Sequence, residues 1–228
     1  SCHELVKPYL KGLQRLFPTL KNRHPTWNLQ WVLQALRGDP FEPMVSANLD
    51  YLTWKVAFLL ALVTAKRVGE LQALSIDKRY LVIDNTGITL RLNPAFIPKV
   101  NTQENYEKEV FFTPFCPRTN VNSKNTLYML CLKRAVEKYI TYTKAFRDKG
   151  SDQLLICYAG VNKGKPASKQ TISRWVRRCI EEAYKSLKKP LPEGLRAHDV
   201  RGVAATWAQY NNASLADICH TASWSNSC

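Results

Sequence analysis

The sequence predicts an α+β domain that is mostly α, a helical bundle carrying one small three-stranded antiparallel sheet. Three observations carry that expectation. Apolar residues recur at helical spacing over most of the 228 residues. Two β-rich runs, RYLVID and ITLRL, meet at Asp84-Asn85-Thr86-Gly87, a composition suited to a hairpin turn. A third β-rich run, EVFFTPF, follows after one polar loop.

Residues 5–20, LVKPYLKGLQRLFPTL, read as one apolar-periodic helix, and the polar KNRHPTWN behind it as a linker. A piece that small is no domain by itself. A short helix follows from Leu29 to about Leu36, then a turn with Pro40 and Pro43, then a long helix from about Asn48 to Ala65. Beyond the three β-rich runs the sequence predicts a helix from about Leu127 to Phe146, a short apolar strand QLLICY, and the helix SKQTISRWVRRCIEEAYKSL with Ser168 as N-cap. Two helices close the chain, His198 to about Tyr210 and Leu215 to about Thr221. Ser214 and Asp217 have the form of a capping box before the last of them.

A hydrophobic share of 45%, with 6 Trp, 10 Tyr and 8 Phe, implies a packed core and excludes a disordered tail. Lys and Arg number 33 against 18 Asp and Glu, a formal charge of +15. A polyanionic partner is the simplest account of that excess, with an uninvolved basic surface as the plain alternative. A membrane surface fits less well, because the basic residues are spread over several segments. The longest apolar run, Val56 to Val63, is too short to cross a bilayer. The 7 cysteines are odd in number and contain no CxxC pair, which points to neither a disulfide framework nor a zinc site and suits a reducing interior. The abrupt Ser-Cys-His start suggests a piece of a longer chain.

Two stretches carry chemistry. In TAKRVGELQAL, Arg67 and Glu70 stand three apart on one helical face, either as a simple ion pair or as a carboxylate orienting a guanidinium toward a phosphate. In RAHDVRGVAATWA, His198 and Arg201 are likewise three apart near a helix start, and Trp224 follows after a second short helix. Two arginines, an imidazole and an indole N–H converging on one point would cradle a phosphodiester passing through a pentacoordinate state. Between Lys163 and Lys189 the chain carries 9 basic residues, opposed within the helix only by Glu181 and Glu182. Lys163, Lys165 and Lys169 around the helix start suit backbone phosphates, while Arg174, Arg177 and Arg178 occupy neighbouring helical positions that could face a groove. A merely solvated helix face is the alternative.

TAKRVGELQAL, AHDVRGVAATWA and LADICHTASWS resemble, in order, the R-x-x-E-L, H-x-x-R and His/Trp boxes of the tyrosine recombinase and integrase family. The wording of these boxes, with GITLRLNPAFIPK and SKQTISRWV, is closest to recombinases encoded by DIRS-like retrotransposons. The resemblance covers about Trp27 to Cys228. It implies residues 1–26 as the tail of a core-binding domain with its linker, and residues 27–228 as a tyrosine-recombinase-like catalytic domain.

The resemblance further implies that Arg67 and Arg201 clamp the scissile phosphate and that His198 and Trp224 hydrogen-bond its non-bridging oxygens, with His198 also a base toward the nucleophile. Lys99, in the loop after the second hairpin strand, matches the lysine that protonates the 5′-oxygen leaving group. Lys108 in the same loop is the alternative, and either could simply touch DNA backbone. The implied partners are double-stranded DNA and further copies of the chain assembled on it, with no membrane, no small-molecule substrate, no metal and no other cofactor. Localisation is expected to be nuclear, or cytoplasmic in part. In the family the attacking tyrosine lies on the helix after the His/Trp box, and this chain ends four residues past Trp224, so the nucleophile helix is expected to be missing from it. Tyr210 precedes that box and reads as a packing residue. The rival expectation is a catalytically inactive, domesticated DNA-binding protein derived from a mobile-element recombinase. A basic scaffold for protein partners is a third.

Overall fold

The structure is a computed structural model that describes residues 27–93, 95–97, 109–114 and 127–222, together with Val6 and Pro8. Of the expected helix over residues 5–20 only Val6 and Pro8 are described, both helical, and the rest of it, with the linker up to residue 26, lies outside the described residues.

Asn28 opens the fold by accepting the backbone N–H groups of Gln30 and Trp31, which caps α1 (Leu29–Ala35). A buried turn through Phe41 and Met44 leads to α2 (Leu49–Thr64), the central helix. Its residues Leu52, Val56, Phe58, Leu59 and Leu60 are buried on several faces, because α2 packs against helices on more than one side. A short α3 (Val68–Gln72) follows, then β1 (Leu81–Ile83), β2 (Ile88–Arg91) and β3 (Glu109–Phe112).

The strands form an antiparallel sheet in the order β1-β2-β3, with Ile83 opposite Ile88 and Leu90 opposite Val110. Alternation sends Leu81, Ile88, Leu90 and Val110 inward. The hairpin forms at the expected residues: Asp84 accepts the N–H groups of Thr86 and Gly87. Gly87 is required there, since a Cβ would collide with the Phe112 carbonyl oxygen and the Phe111 ring.

After the sheet come α4 (Leu132–Thr143), α5 (Lys169–Ser186), α6 (Asp199–Tyr210) and α7 (Leu215–Ala222). Ser168 caps α5 by accepting the Thr171 N–H at 3.2 Å, as its sequence predicts. Ile172, Trp175, Val176, Cys179, Ile180 and Ala183 make the buried stripe of α5, which packs on α1, α2 and α3.

Two expectations need correction. The helix predicted from Leu127 to Phe146 is divided, because Cys131 is extended (ψ 115°) and separates a 3₁₀ turn, Tyr128–Leu130, from α4. QLLICY forms no strand. Gln153 bridges Ser75 and Ile156 bridges Pro166 as isolated pairs. Arg147 holds the segment by donating to the Gln153 and Leu154 carbonyls at 2.7 and 2.9 Å, while Tyr139 exchanges two hydrogen bonds with Ile156. Side-chain donors thus replace part of a strand's pairing, while Leu154, Leu155 and Cys157 still bond through the backbone to Leu74, Ala167 and Lys165.

One ionic cluster sits inside the bundle. Lys55 on α2, fully buried, donates to Glu42 at 2.6 Å and to the Leu36 carbonyl at 2.8 Å. Arg134 on α4 meets the same carboxylate with two bonds of 2.8 and 3.0 Å. Burial opposes ionisation of Glu42, but Arg134 and Lys55 outweigh it and hold the carboxyl below its ordinary range.

Candidate active site and nucleic-acid interface

The site begins where α2 stops. Ala65 takes a left-handed conformation (φ 47°), a backbone that costs an L-residue about 1 kcal/mol or more. That bend ends the helix and turns the chain so that Arg67, with an extended backbone, becomes the N-cap of α3. Glu70, one turn on, accepts the Arg67 N–H at 2.7 Å and lies 3.5 Å from the Arg67 guanidinium.

Glu70 is only 2% exposed, and it serves a second arginine. Arg201, in the first turn of α6, places Nη1 3.7 Å from Glu70 Oε2 and donates from Nη2 to the Ala222 carbonyl at 2.7 Å. One buried carboxylate therefore stands between two guanidiniums that are far apart in the chain. Without it the two cations would repel in a poorly solvated place. Burial, and then the nearby Arg67 charge, lower the Arg201 pKa to about 10, with Glu70 opposing them. Arg201 stays charged at neutral pH. The arginines differ in access: the Arg67 side chain is 33% exposed and that of Arg201 7%. Arg67 is the cation open to an arriving anion, with Arg201 behind it.

His198 is the N-cap of α6 and is exposed. Its carbonyl accepts the Arg201 N–H at 3.2 Å, and its imidazole makes no hydrogen bond among the described residues. Lys99, Lys108 and Trp224 lie outside the described residues. The structure thus joins Arg67, Glu70 and Arg201, and sets His198 at the head of the helix that carries Arg201.

Next to Arg67, a groove of about 460 Å³ opens between α3 and α5. Lys169, Arg174, Arg177 and Arg178 line one wall, and Val68 and Gly69 the other. Lys163 and Lys165 stand exposed on the loop before α5, with the Lys163 ammonium 4.8 Å above the Phe146 ring. Among the described residues no group of three His, Cys, Asp or Glu is placed to hold a metal ion, and no helix is long and apolar enough to cross a membrane.

The spacing of Arg67 and Glu70 made their pairing legible. Nothing local signalled that Glu70 also meets Arg201, because no periodicity links α3 to α6.

Seven helices around a three-stranded antiparallel sheet, among the described residues, form the fold of tyrosine recombinase catalytic domains. The structure of XerH site-specific recombinase bound to its difH substrate, a pre-cleavage complex, aligns at a TM-score of 0.57 and 13% identity, over 91% of this chain and 48% of that one. A post-cleavage complex of XerH on palindromic difH aligns at 0.56 and 15% identity, over 86% of this chain and 45% of that one. XerA recombinase aligns at 0.51 and 17%, over 92% and 59%. The chain spans about half the length of these proteins. No protein-family model and no curated protein matches the sequence. At such identities the likeness is one of fold.

Proposed function

We propose that this chain is the DNA-binding, phosphodiester-activating part of a site-specific recombinase of the tyrosine class, encoded by a DIRS-like retrotransposon and acting on double-stranded DNA in the nucleus. The observation that carries this is the Arg67–Glu70–Arg201 cluster, set in a fold shared with XerH. The Arg67 guanidinium can present parallel charge-assisted donors to a phosphate, with the charge of Arg201 behind it, and such donors count most where negative charge grows in the transition state. His198 donates to a non-bridging oxygen. Trp224 and Lys99 complete the set, as hydrogen-bond donor and general acid.

In the reaction so assigned, a tyrosine oxygen attacks phosphorus and its proton passes to a base. A 3′-phosphotyrosyl bond forms, the bond to the 5′ oxygen breaks, and that oxygen takes a proton from Lys99. Rejoining reverses these steps on further copies of the chain assembled on the same DNA. Strand cleavage then requires a tyrosine C-terminal to Trp224. A natural chain extended through that tyrosine is expected to form a covalent adduct with a nicked suicide duplex.

For the 228 residues themselves the test is binding. Arg67→Ala is expected to weaken duplex DNA binding, measured by fluorescence anisotropy at fixed salt, by about tenfold or more, the scale of a charge-assisted hydrogen bond. Arg67→Lys should recover only part of the loss, since an ammonium cannot give two parallel bonds. Unchanged affinity and footprint in Arg67→Ala would sink the assignment and favour a protein-binding scaffold.

A further inference from the structure

Among the described residues a lysine or arginine already lies over the rings of Trp31, Tyr80, Tyr128, Tyr139, Tyr142 and Phe146, 4.4 to 5.8 Å from each centroid. A group on the first turns of α2 departs from this pattern. Tyr51 and Trp54 stand at 82° with centroids 5.2 Å apart, and Trp54 donates from Nε1 to the Tyr158 hydroxyl at 3.1 Å. All three rings are half-buried, and no cation of the described residues lies over them. The buried Phe41 ring meets Tyr51 at 5.8 Å and the buried Trp175 meets Tyr158 at 5.6 Å, which braces the group from the core side.

Carboxylates stand beside these rings where the others have cations. Burial first, then the Glu182 and Asp50 charges and more weakly that of Asp39, raise the Tyr51 pKa. Burial raises that of Tyr158 too, against the bond from Trp54 and with Asp50 adding to it. Asp50 accepts the Tyr51 N–H at 2.9 Å, and neither Asp39 nor Asp50 has an ion-pair partner among the described residues. Glu182 has Lys185 at 3.5 Å. On a chain of formal charge +15 these negative charges are a local exception, spread over the turn before α2, the start of α2 and the last turns of α5.

The faces of aromatic rings are negative and attract cations. Two rings at right angles bound a corner in which a compact ammonium meets both faces at once, whereas a planar guanidinium stacks flat on one. Carboxylates spread over three elements match a run of basic residues better than a single small cation. We propose that this face is a docking site for a lysine-rich segment of a protein partner, one ammonium seated between the Tyr51 and Trp54 rings and its neighbours in the segment meeting Asp39, Asp50 and Glu182. None of these residues lines the groove beside Arg67, so the site adds a protein partner to the DNA proposed above.

The test measures, by fluorescence anisotropy at fixed salt, binding of the 228-residue chain to a labelled lysine-rich peptide, to the same peptide with its lysines trimethylated, and to one with norleucine in their place. The unaltered chain is expected to bind the first two and not the third, because a cation–π contact needs the charge but no N–H. Trp54→Leu and Asp50→Asn should each weaken binding of both by about tenfold. Tyr142→Leu removes a ring that the Lys138 ammonium already covers and should leave binding unchanged. Circular dichroism reports whether each variant folds, and if Trp54→Leu does not, Asp50→Asn decides, since its amide oxygen still accepts the Tyr51 N–H. No binding of the lysine peptide, equal binding of the norleucine peptide, loss of binding on trimethylation, or unchanged affinity in Asp50→Asn would each overturn the assignment.

Discussion

Glu42→Ala is expected to cost about 3–5 kcal/mol of stability, because it strands a fully buried Lys55 and leaves Arg134 without its carboxylate. Chemical denaturation at neutral pH, with circular dichroism as the readout, measures it. Lys55→Met should cost much less, since it removes a cation whose ionisation burial already disfavours and leaves Glu42 paired to Arg134. The pH dependence has a definite sign. The folded-state pKa of Glu42 lies below its ordinary 4.5. Its contribution is therefore complete above the unfolded value and fades as pH falls through the lower folded one. The gap between Glu42→Ala and the unaltered chain should narrow in acid. Equal losses from Glu42→Ala and Lys55→Met would contradict the picture of one carboxylate serving two cations.

On the DNA-binding function proposed above, Glu70→Ala should combine a loss of stability with a loss of duplex affinity. It removes the acceptor for the Arg67 N–H and the charge between Arg67 and Arg201, whose guanidiniums then face each other without an intervening anion. The cap accounts for about 1 kcal/mol. Breaking a buried pair adds about 3 kcal/mol or more. Glu70→Gln separates the two effects: its amide oxygen can still accept the Arg67 N–H, so part of the stability returns, but the charge does not. Thermal melting and duplex anisotropy on both variants provide the measurement. Glu70→Gln matching the unaltered chain in both would show that the carboxylate charge is not what holds the arginines.

The legible parts of the fold were those written locally. Asp84-Asn85-Thr86-Gly87 made its turn, Ser168 capped α5, and the apolar stripe from Ile172 to Ala183 faced inward. QLLICY was misread because an apolar run is ambiguous by itself, and here Arg147 and Tyr139 satisfy backbone groups that a strand would otherwise pair. Within the site, Arg67 with Glu70 and His198 with Arg201 were legible as short-range pairs. The family resemblance implied that Arg67 and Arg201 meet, but neither the contact of Glu70 with Arg201 nor the cluster of Glu42 with Lys55 and Arg134 was legible, the members of the latter lying 13 and 92 residues away in sequence.

Ala65 gives this site its timing. A left-handed alanine, a desolvated carboxylate and a buried guanidinium are all unfavourable by themselves. Those costs are incurred once, as the chain folds, and not at each encounter with an anion. Under the function proposed above, the arginines would already stand at fixed separation when a phosphate arrived, leaving little reorganisation for the bound state or the transition state to require. On that proposal stiffness is a kinetic property installed in advance, and a substitution that relaxes the bend at Ala65 is expected to make the domain more stable and the proposed site slower.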